Sequence, residues 1–393
     1  MNDILTPSPP IPAAADHRMS LGVVQDFREE NWVSMDFVAE MLLQQYNSTF
    51  ADEVEARPIL ARFRRIATAP VAMRNNPRAL NADRLLNRYW GYPRYLRRHL
   101  PECARYHVVD HSYAQLTLEL PADRTGVYLH DIDPFRCLVT PERAPASRLV
   151  RRLMRRVLRG VQRAAVVFYA TAAARDEIVQ HQLVDPQRLV WAPLGTAREY
   201  HYAPESPAIS DFTGLPDDTP FLLHVGSCVP RKRIDIVLET FARLRSAHPN
   251  LHLLKIGGTW SKEHEAIIDR HQLRSAIVHR LEVARVDVAR AYRRAAVVLF
   301  PSEREGFGLP VIEALACGAI VVASDIPPLL EVGGNAVDFC PLPDVDCYVA
   351  TIDRVLRRPE TAPSLATRLA QAGQFSWKRH AAIILDAYRK LPV

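Results

Sequence analysis

Residues 303–314 read Glu-Arg-Glu-Gly-Phe-Gly-Leu-Pro-Val-Ile-Glu-Ala, and no other stretch packs so much potential chemistry together. Glu305 and Glu313 have seven residues between them. Gly306-Phe307-Gly308 predicts a turn with free backbone N–H groups. Pro310 permits a helix to begin there, because proline in a first turn loses no hydrogen bond. A glycine turn feeding a helix N-terminus attracts anions, phosphates above all. The flanking carboxylates can accept hydrogen bonds from hydroxyl-rich groups beside such an anion. The apolar run 295–300, closing at Pro301-Ser302, predicts the buried parallel strand that presents this turn.

A second block lies upstream, Phe221-Leu-Leu-His-Val-Gly226-Ser-Cys-Val-Pro230-Arg231-Lys232. It predicts a strand, a glycine turn and a basic pair opening a helix. Cations at a helix start oppose the helix dipole, so a bound anion accounts for Arg231 and Lys232 better than a solvated surface does. Preorganised cations and N–H dipoles stabilise charge developing on a leaving phosphate, and an arginine fork matches phosphate geometry.

Together the two blocks resemble the retaining GT-B glycosyltransferases often grouped as family 4. The resemblance is close over residues 220–390 and distant over 20–200. It implies an α/β GT-B fold: two Rossmann-like, doubly wound domains facing across a cleft, with a C-terminal helix crossing back to the first. It implies transfer of a mannose- or glucose-type hexose from a UDP- or GDP-linked donor to a hydroxyl of a glycan, lipid-linked or small-molecule acceptor, as in cell-surface polysaccharide biosynthesis. By this likeness Gly226, Arg231 and Lys232 face the donor diphosphate. Glu313 takes the ribose hydroxyls and Glu305 lies near the transferred sugar. Gly306, Phe307, Gly308 and Leu309 face the sugar or diphosphate through their backbone. Arg280 and Leu281 follow the strand after which such enzymes seat the base. His130-Asp131 resembles the family's His-Asp at the sugar-facing edge, and His111 is a second candidate there. Lys232, Glu305 and His130 are therefore the candidate catalytic residues.

This chain departs from the family in two places. Ser227 stands where many relatives carry arginine, which leaves Arg231 to supply that charge. The first loop holds Glu29, Glu30, Asn31 and Trp32 in place of paired glycines, so acceptor identity does not carry over. Asp131-Ile-Asp133 has the spacing of a nucleotide-metal motif, but Pro134 and its place in the first half argue against that role. The resemblance implies a metal-independent enzyme with no cofactor beyond the nucleotide-sugar donor.

The elements that must position these residues alternate. Strands are predicted at 21–27, 105–109, 125–130, 164–170 and 190–194. Helices are predicted from a Ser34 cap through Leu42, over the arginine-rich 148–163, and over 172–182. Asp110-His111-Ser112-Tyr113 is predicted as a loop. Past a linker with Pro204, Ser206, Pro207, Pro216 and Pro220, strands at 221–225, 251–256, 277–280, 297–300, 320–323 and 337–339 alternate with helices at 234–248, 264–271, 286–294, 310–317 and 327–332. Such alternation predicts parallel sheets with helices on both faces, whose ligands bind beyond the strand C-termini. The expected organisation is a mobile tail over 1–18, an acceptor domain over 19–200, a donor domain over 201–375 and a crossover helix over 376–393.

The chain's 393 residues suit two domains of ~150–200 residues. Its apolar runs fall short of the ~18 residues of a membrane span, and the N-terminus does not read as a signal peptide. Six cysteines without a Cys-x-x-Cys pair read as reduced thiols of a cytoplasmic protein. The net charge of +6 is unevenly placed. Arg148, Arg152, Arg155 and Arg159 share one helical face, with Leu149, Leu153 and Val157 on another. Residues 84–99 mix arginines with Tyr89, Trp90, Tyr92 and Tyr95. These segments read either as solvated faces or as contacts with the inner face of an anionic membrane. The expected partners are the nucleotide sugar and the acceptor, with no nucleic acid. A phosphorylase or epimerase fits the motifs less well. A non-catalytic GT-B scaffold, binding membrane or nucleic acid through the arginine-rich helix, is the alternative from another class.

Overall fold

The computed structural model describes residues 18–30, 32–205 and 208–392. The predicted tail therefore falls almost wholly outside the described residues, as do Asn31, Ser206 and Pro207. The described residues build two six-stranded sheets, each wholly parallel. The first contains β1 (Met19–Val24), β2 (Val54–Ile59), β3 (Arg105–Val108), β4 (Thr125–Leu129), β5 (Val166–Tyr169) and β6 (Leu189–Trp191), in the order β2-β1-β3-β4-β5-β6. The second contains β7 (Phe221–Val225), β8 (His252–Ile256), β9 (Ile277–Arg280), β10 (Val297–Phe300), β11 (Val321–Ser324) and β12 (Asp338–Cys340), in the order β12-β11-β10-β7-β8-β9. Central strands such as β4, β5 and β10 are buried along their whole length, which is why they read as unbroken apolar runs.

Several local expectations are corrected. The first strand ends at Val24, and Gln25 adds only one more sheet-type bond, its N–H donating to Ile59 O. β2 was not foreseen; its sequence Val-Glu-Ala-Arg-Pro-Ile carries a proline that an edge strand tolerates. The first helix, Val33–Ser48, starts after Trp32 with no side-chain cap, so Ser34 is not its cap. Asp110 caps a 3-10 segment, His111–Glu119, where a loop was expected. Helices Val345–Arg357 and Leu365–Ala372 extend the second half beyond the predicted elements.

The last helix, Trp377–Lys390, returns to the first half. Tyr46 Oη donates to Ala381 O, Tyr388 Oη donates to Tyr106 O, and Arg105 donates to the carbonyls of Tyr388, Leu391 and Pro392. The chain thus passes twice between the halves. The two passages lie side by side: Thr196 and Ser376 form a parallel bridge, and a Cβ on Gly195 would sit 2.2 Å from Trp377 N.

The arginine-rich helix Arg148–Arg163 buries Val157, Gly160 and Val161 against the 111–119 segment and leaves Arg148, Arg152, Arg155 and Arg159 exposed. Leu149, expected on the apolar face, is 63% exposed. At Gly160 a Cβ would lie 1.9 Å from Ala114 O. Helix propensity favours alanine over glycine by ~1 kcal/mol, whereas overpacking against a fixed backbone costs ~1–3 kcal/mol. The clash wins, so Gly160→Ala is expected to lower the urea midpoint. A midpoint at or above wild type would show that the helix has room to shift.

Candidate active site

In the second sheet β10 and β7 are neighbours although two strands and three helices separate them in sequence. This reversal of strand order is where open α/β sheets receive ligands. It brings the two sequence blocks together. Glu303 N donates to Arg231 O at 2.7 Å, and Arg231 Nη1 donates to Arg304 O at 2.8 Å and to Glu305 Oε2 at 3.1 Å. Lys232 Nζ meets Glu305 Oε1 at 2.5 Å and lies 4.7 Å from the Phe300 ring centroid. Burial alone would raise the Glu305 carboxyl, but Lys232 and Arg231 hold it below the usual carboxylate range. Two cations thus share one buried carboxylate, leaving a surplus positive charge.

The Gly-Phe-Gly turn is fixed from both halves. A Cβ on Gly306 would lie 2.5 Å from His130 O, and Thr171 Oγ1 donates to Gly306 O at 3.2 Å. Phe307 is buried edge-on against Phe375. Gly308 has φ +102°, a conformation other residues rarely adopt. Among the described residues no protein acceptor takes the N–H of Phe307, Gly308 or Leu309, and the helix Leu309–Ala316 follows directly. Glu313 is buried one turn into that helix, where Tyr292 Oη donates to its Oε2 at 3.3 Å. Burial pushes its carboxyl up to about 7.

Beyond β7 the turns at Gly226 and Gly257-Gly258 stack closely; a Cβ on Gly258 would sit 2.4 Å from Cys228 N. Beneath both turns runs Lys255 of β8, which the sequence reading missed because a strand lysine looks like a solvated one. Arg280 lies at the end of β9, but its guanidinium donates to Phe212 O and Thr213 O at 2.6 and 3.1 Å. The linker thus holds the Arg280 side chain, and the Arg280 carbonyl accepts from Gly257 N at 2.7 Å. Leu281 beside it is exposed.

Across the cleft, His130 follows β4. Its Nε2 donates to Val109 O at 2.9 Å, and burial holds the ring neutral by lowering its pKa. In that tautomer Nδ1 is an acceptor. His111 Nδ1 lies 3.2 Å from Asp110 Oδ1 and its Nε2 3.8 Å from Asp131 Oδ1. Asp26, past the end of β1, was also missed. It is buried beside Asp110, and burial followed by that neighbour's charge raises it well above the carboxylate range. A cavity of about 350 Å³ between the halves is lined by Asp131, Arg231, Arg304, Glu305 and Gly306. Arg304 bridges it to Asp133 at 3.3 Å. The structure therefore gathers Arg231, Lys232, Glu305, Gly306 and His130 at one point. Of the predicted site residues, Arg231, Glu305 and Gly306 line the cavity itself; Lys232, His130, Phe307, Gly308, Leu309, Glu313, Gly226, Arg280 and Leu281 lie outside its lining.

Glu313 makes stability depend on pH. Its folded pKa of about 7 exceeds the ordinary 4.5. The folded state therefore binds the extra proton, and its contribution is full below pH ~4.5 and lost as pH rises through ~7, a span worth ~3 kcal/mol. Glu313→Gln is expected to remove that slope from unfolding free energies measured between pH 5 and 8. An unchanged slope would show the carboxyl to be ionised throughout.

Residues 205–375 match the family described as Glycosyl transferases group 1. The chain is 28% identical over 299 residues to the O-antigen chain mannosyltransferase B of Escherichia coli, covering 72% of this chain and 75% of that protein. Its fold is similar to sucrose-phosphate synthase from Thermosynechococcus elongatus, with TM-score 0.70 and 18% identity over 95% of this chain and 99% of that one. It is also similar to Anabaena HepE in complex with UDP and glucose, with TM-score 0.69 and 16% identity over 95% and 100% of the two chains. With its motif blocks meeting at the strand-order reversal of a two-sheet GT-B fold, and with residues 205–375 matching the group 1 glycosyl transferases, this chain is a glycosyltransferase.

Proposed function

We propose that this enzyme is a retaining hexosyltransferase of the family 4 type, moving a mannose- or glucose-type sugar from a UDP- or GDP-linked donor to a hydroxyl of a glycan, lipid-linked or small-molecule acceptor in cell-surface polysaccharide synthesis. The observation that carries this reading is the Arg231–Lys232–Glu305 contact beside the unpartnered N–H groups of residues 307–309. As the sugar–phosphate bond breaks, the leaving diphosphate gains charge. Arg231, Lys232 and the N-terminus of helix Leu309–Ala316 receive it without reorganising. That cationic set is the reason to expect metal independence. Glu313 takes the ribose hydroxyls, and the free Nδ1 of His130 accepts from a sugar hydroxyl. Similarity to an O-antigen mannosyltransferase favours mannose. The retaining course rests on the family likeness, and because Glu305, neutralised by two cations, is a poor nucleophile for a double displacement, the proposed route runs on one face of the sugar. The acceptor's proton then passes to the departing phosphate.

Lys232→Ala is expected to lower kcat by roughly 30- to 1000-fold, the size of one lost transition-state charge contact of ~2–4 kcal/mol. Breaking the buried pair also costs stability, ~3–5 kcal/mol, so turnover is compared well below the unfolding midpoint and beside Lys232→Arg, which keeps the charge. Turnover like wild type in folded Lys232→Ala would overturn the diphosphate role. Titration with UDP and GDP identifies the base.

A second proposal concerns location: the cytoplasm, at the inner face of the membrane. Among the described residues no helix is long and apolar enough to cross a bilayer. The two basic segments meet at one carboxylate, since Arg97 and Arg156 both reach Glu119, at 3.5 and 3.8 Å. Trp90, Leu85, Leu86, Leu149 and Val150 are exposed on these segments. Reversing Arg152, Arg155 and Arg159 to glutamate is expected to release the enzyme from anionic vesicles at low salt, each near-surface arginine contributing ~1 kcal/mol, with nucleotide affinity unchanged. If the wild type does not sediment with such vesicles, the face is a solvated one.

A further inference from the structure

Lys255 is fully buried on β8, beside the edge strand β9. Its Nζ donates to Gly226 O at 2.7 Å, to Ile256 O at 3.1 Å and to Gly257 O. The ammonium's three donors are thus matched by three carbonyls, but its charge meets no carboxylate, only the Trp260 ring at 5.8 Å. Among the described residues no carboxylate forms an ion pair with it. The ionisable groups that face it are Cys228 from the turn after β7, Lys232, His224 of β7, His264 of the helix after β8, and His279 of β9. None supplies negative charge at neutral pH: burial raises the Cys228 thiol and keeps the three histidines neutral. An unpaired buried cation is costly, and an apolar residue would fill a strand position more cheaply.

The three carbonyls show what the charge does. In a trans peptide the C=O and the following N–H point in opposite directions. Drawing Gly226 O and Gly257 O inward to Lys255 therefore turns the N–H groups of Ser227 and Gly258 outward. Neither N–H has a protein acceptor among the described residues. The turns can hold this form because Gly257 and Gly258 adopt φ +82° and +68°. Two outward N–H groups over a buried, carboxylate-free cation are donors suited to an anion. It lies on the β8 side of β7, whereas Glu305 lies on the β10 side.

We propose that Lys255 is a positioning residue for the donor, pinning the two glycine turns so that their N–H groups grip the diphosphate and placing beneath it a positive charge that the diphosphate completes. This rests on the reading of the donor half as a nucleoside-diphosphate site. It adds a second grip, opposite Arg231 and Lys232, built from a residue that touches no ligand itself.

The test is calorimetric titration of the full chain with UDP and GDP, and with uridine and guanosine as phosphate-free controls. Lys255→Gln keeps donors for the carbonyls and removes the charge; Lys255→Met removes both. Both variants are expected to lose roughly tenfold or more in nucleoside-diphosphate affinity, the size of one partly screened charge contact, while nucleoside affinity stays put. A wild-type arm needs no variant. Burial pulls the free Lys255 down to about 8, so affinity for the diphosphate is expected to weaken between pH 7 and 9. Its terminal phosphate, with a pKa of about 6, is already ionised there. Lys255→Gln should lack the part of that slope due to Lys255. Unchanged diphosphate affinity in a variant, or equal loss for diphosphate and nucleoside, overturns this inference and leaves the donor-site reading intact. Failure of the wild type to bind either diphosphate overturns both.

Discussion

Glu305 held by Arg231 and Lys232 is the contact on which the rest of the site depends. A buried carboxylate facing one cation would leave a neutral pocket. Facing two, it keeps them apart, fixes their direction and leaves a positive remainder. The contact also joins the loops after β7 and β10, so strand order and electrostatics are the same fact seen twice. Losing either cation would leave a buried charge short of a partner, so the site and the fold of this half are hard to change separately.

The cleft is narrow at the Gly-Phe-Gly turn. Gly306 lies so close to His130 O that no side chain fits there, and Thr171 bonds the same residue. The first half therefore positions its histidine by touching the turn that carries Glu305. Across the same gap Glu331 accepts from Ala172 N at the start of a first-half helix. Carboxylates at helix starts are favoured by the dipole, and here the carboxylate comes from the other half.

The second half was largely legible because its strands are unbroken apolar runs and its turns are marked by glycine and proline. Strand β10 was placed to the residue, and the Glu305 and Arg231-Lys232 blocks were found by chemistry that only a few residue types can do. Legibility failed where burial decides the role. Lys255 is an ordinary lysine in sequence and becomes a buried cation only when three carbonyls surround it. Arg280 shows in sequence only as a strand end, and its guanidinium's bonds to the linker appear only once Phe212 and Thr213 fold beside it. Asp26 gains meaning only from Asp110, far away in the chain. The edge strand β2 lacked a signal because one proline and two exposed positions break its pattern.

The paired passages at Gly195–Thr196 and Ser376–Trp377 have a mechanical consequence. A single connector would let the halves swivel in any direction. Two connectors lying side by side and bridged to each other behave like the two knuckles of a door hinge. They bend readily about the axis that runs through both and resist twist about any other. Opening of the cleft is thereby reduced to one rotation, and each closure returns His130 to the same place over the turn that bears Glu305.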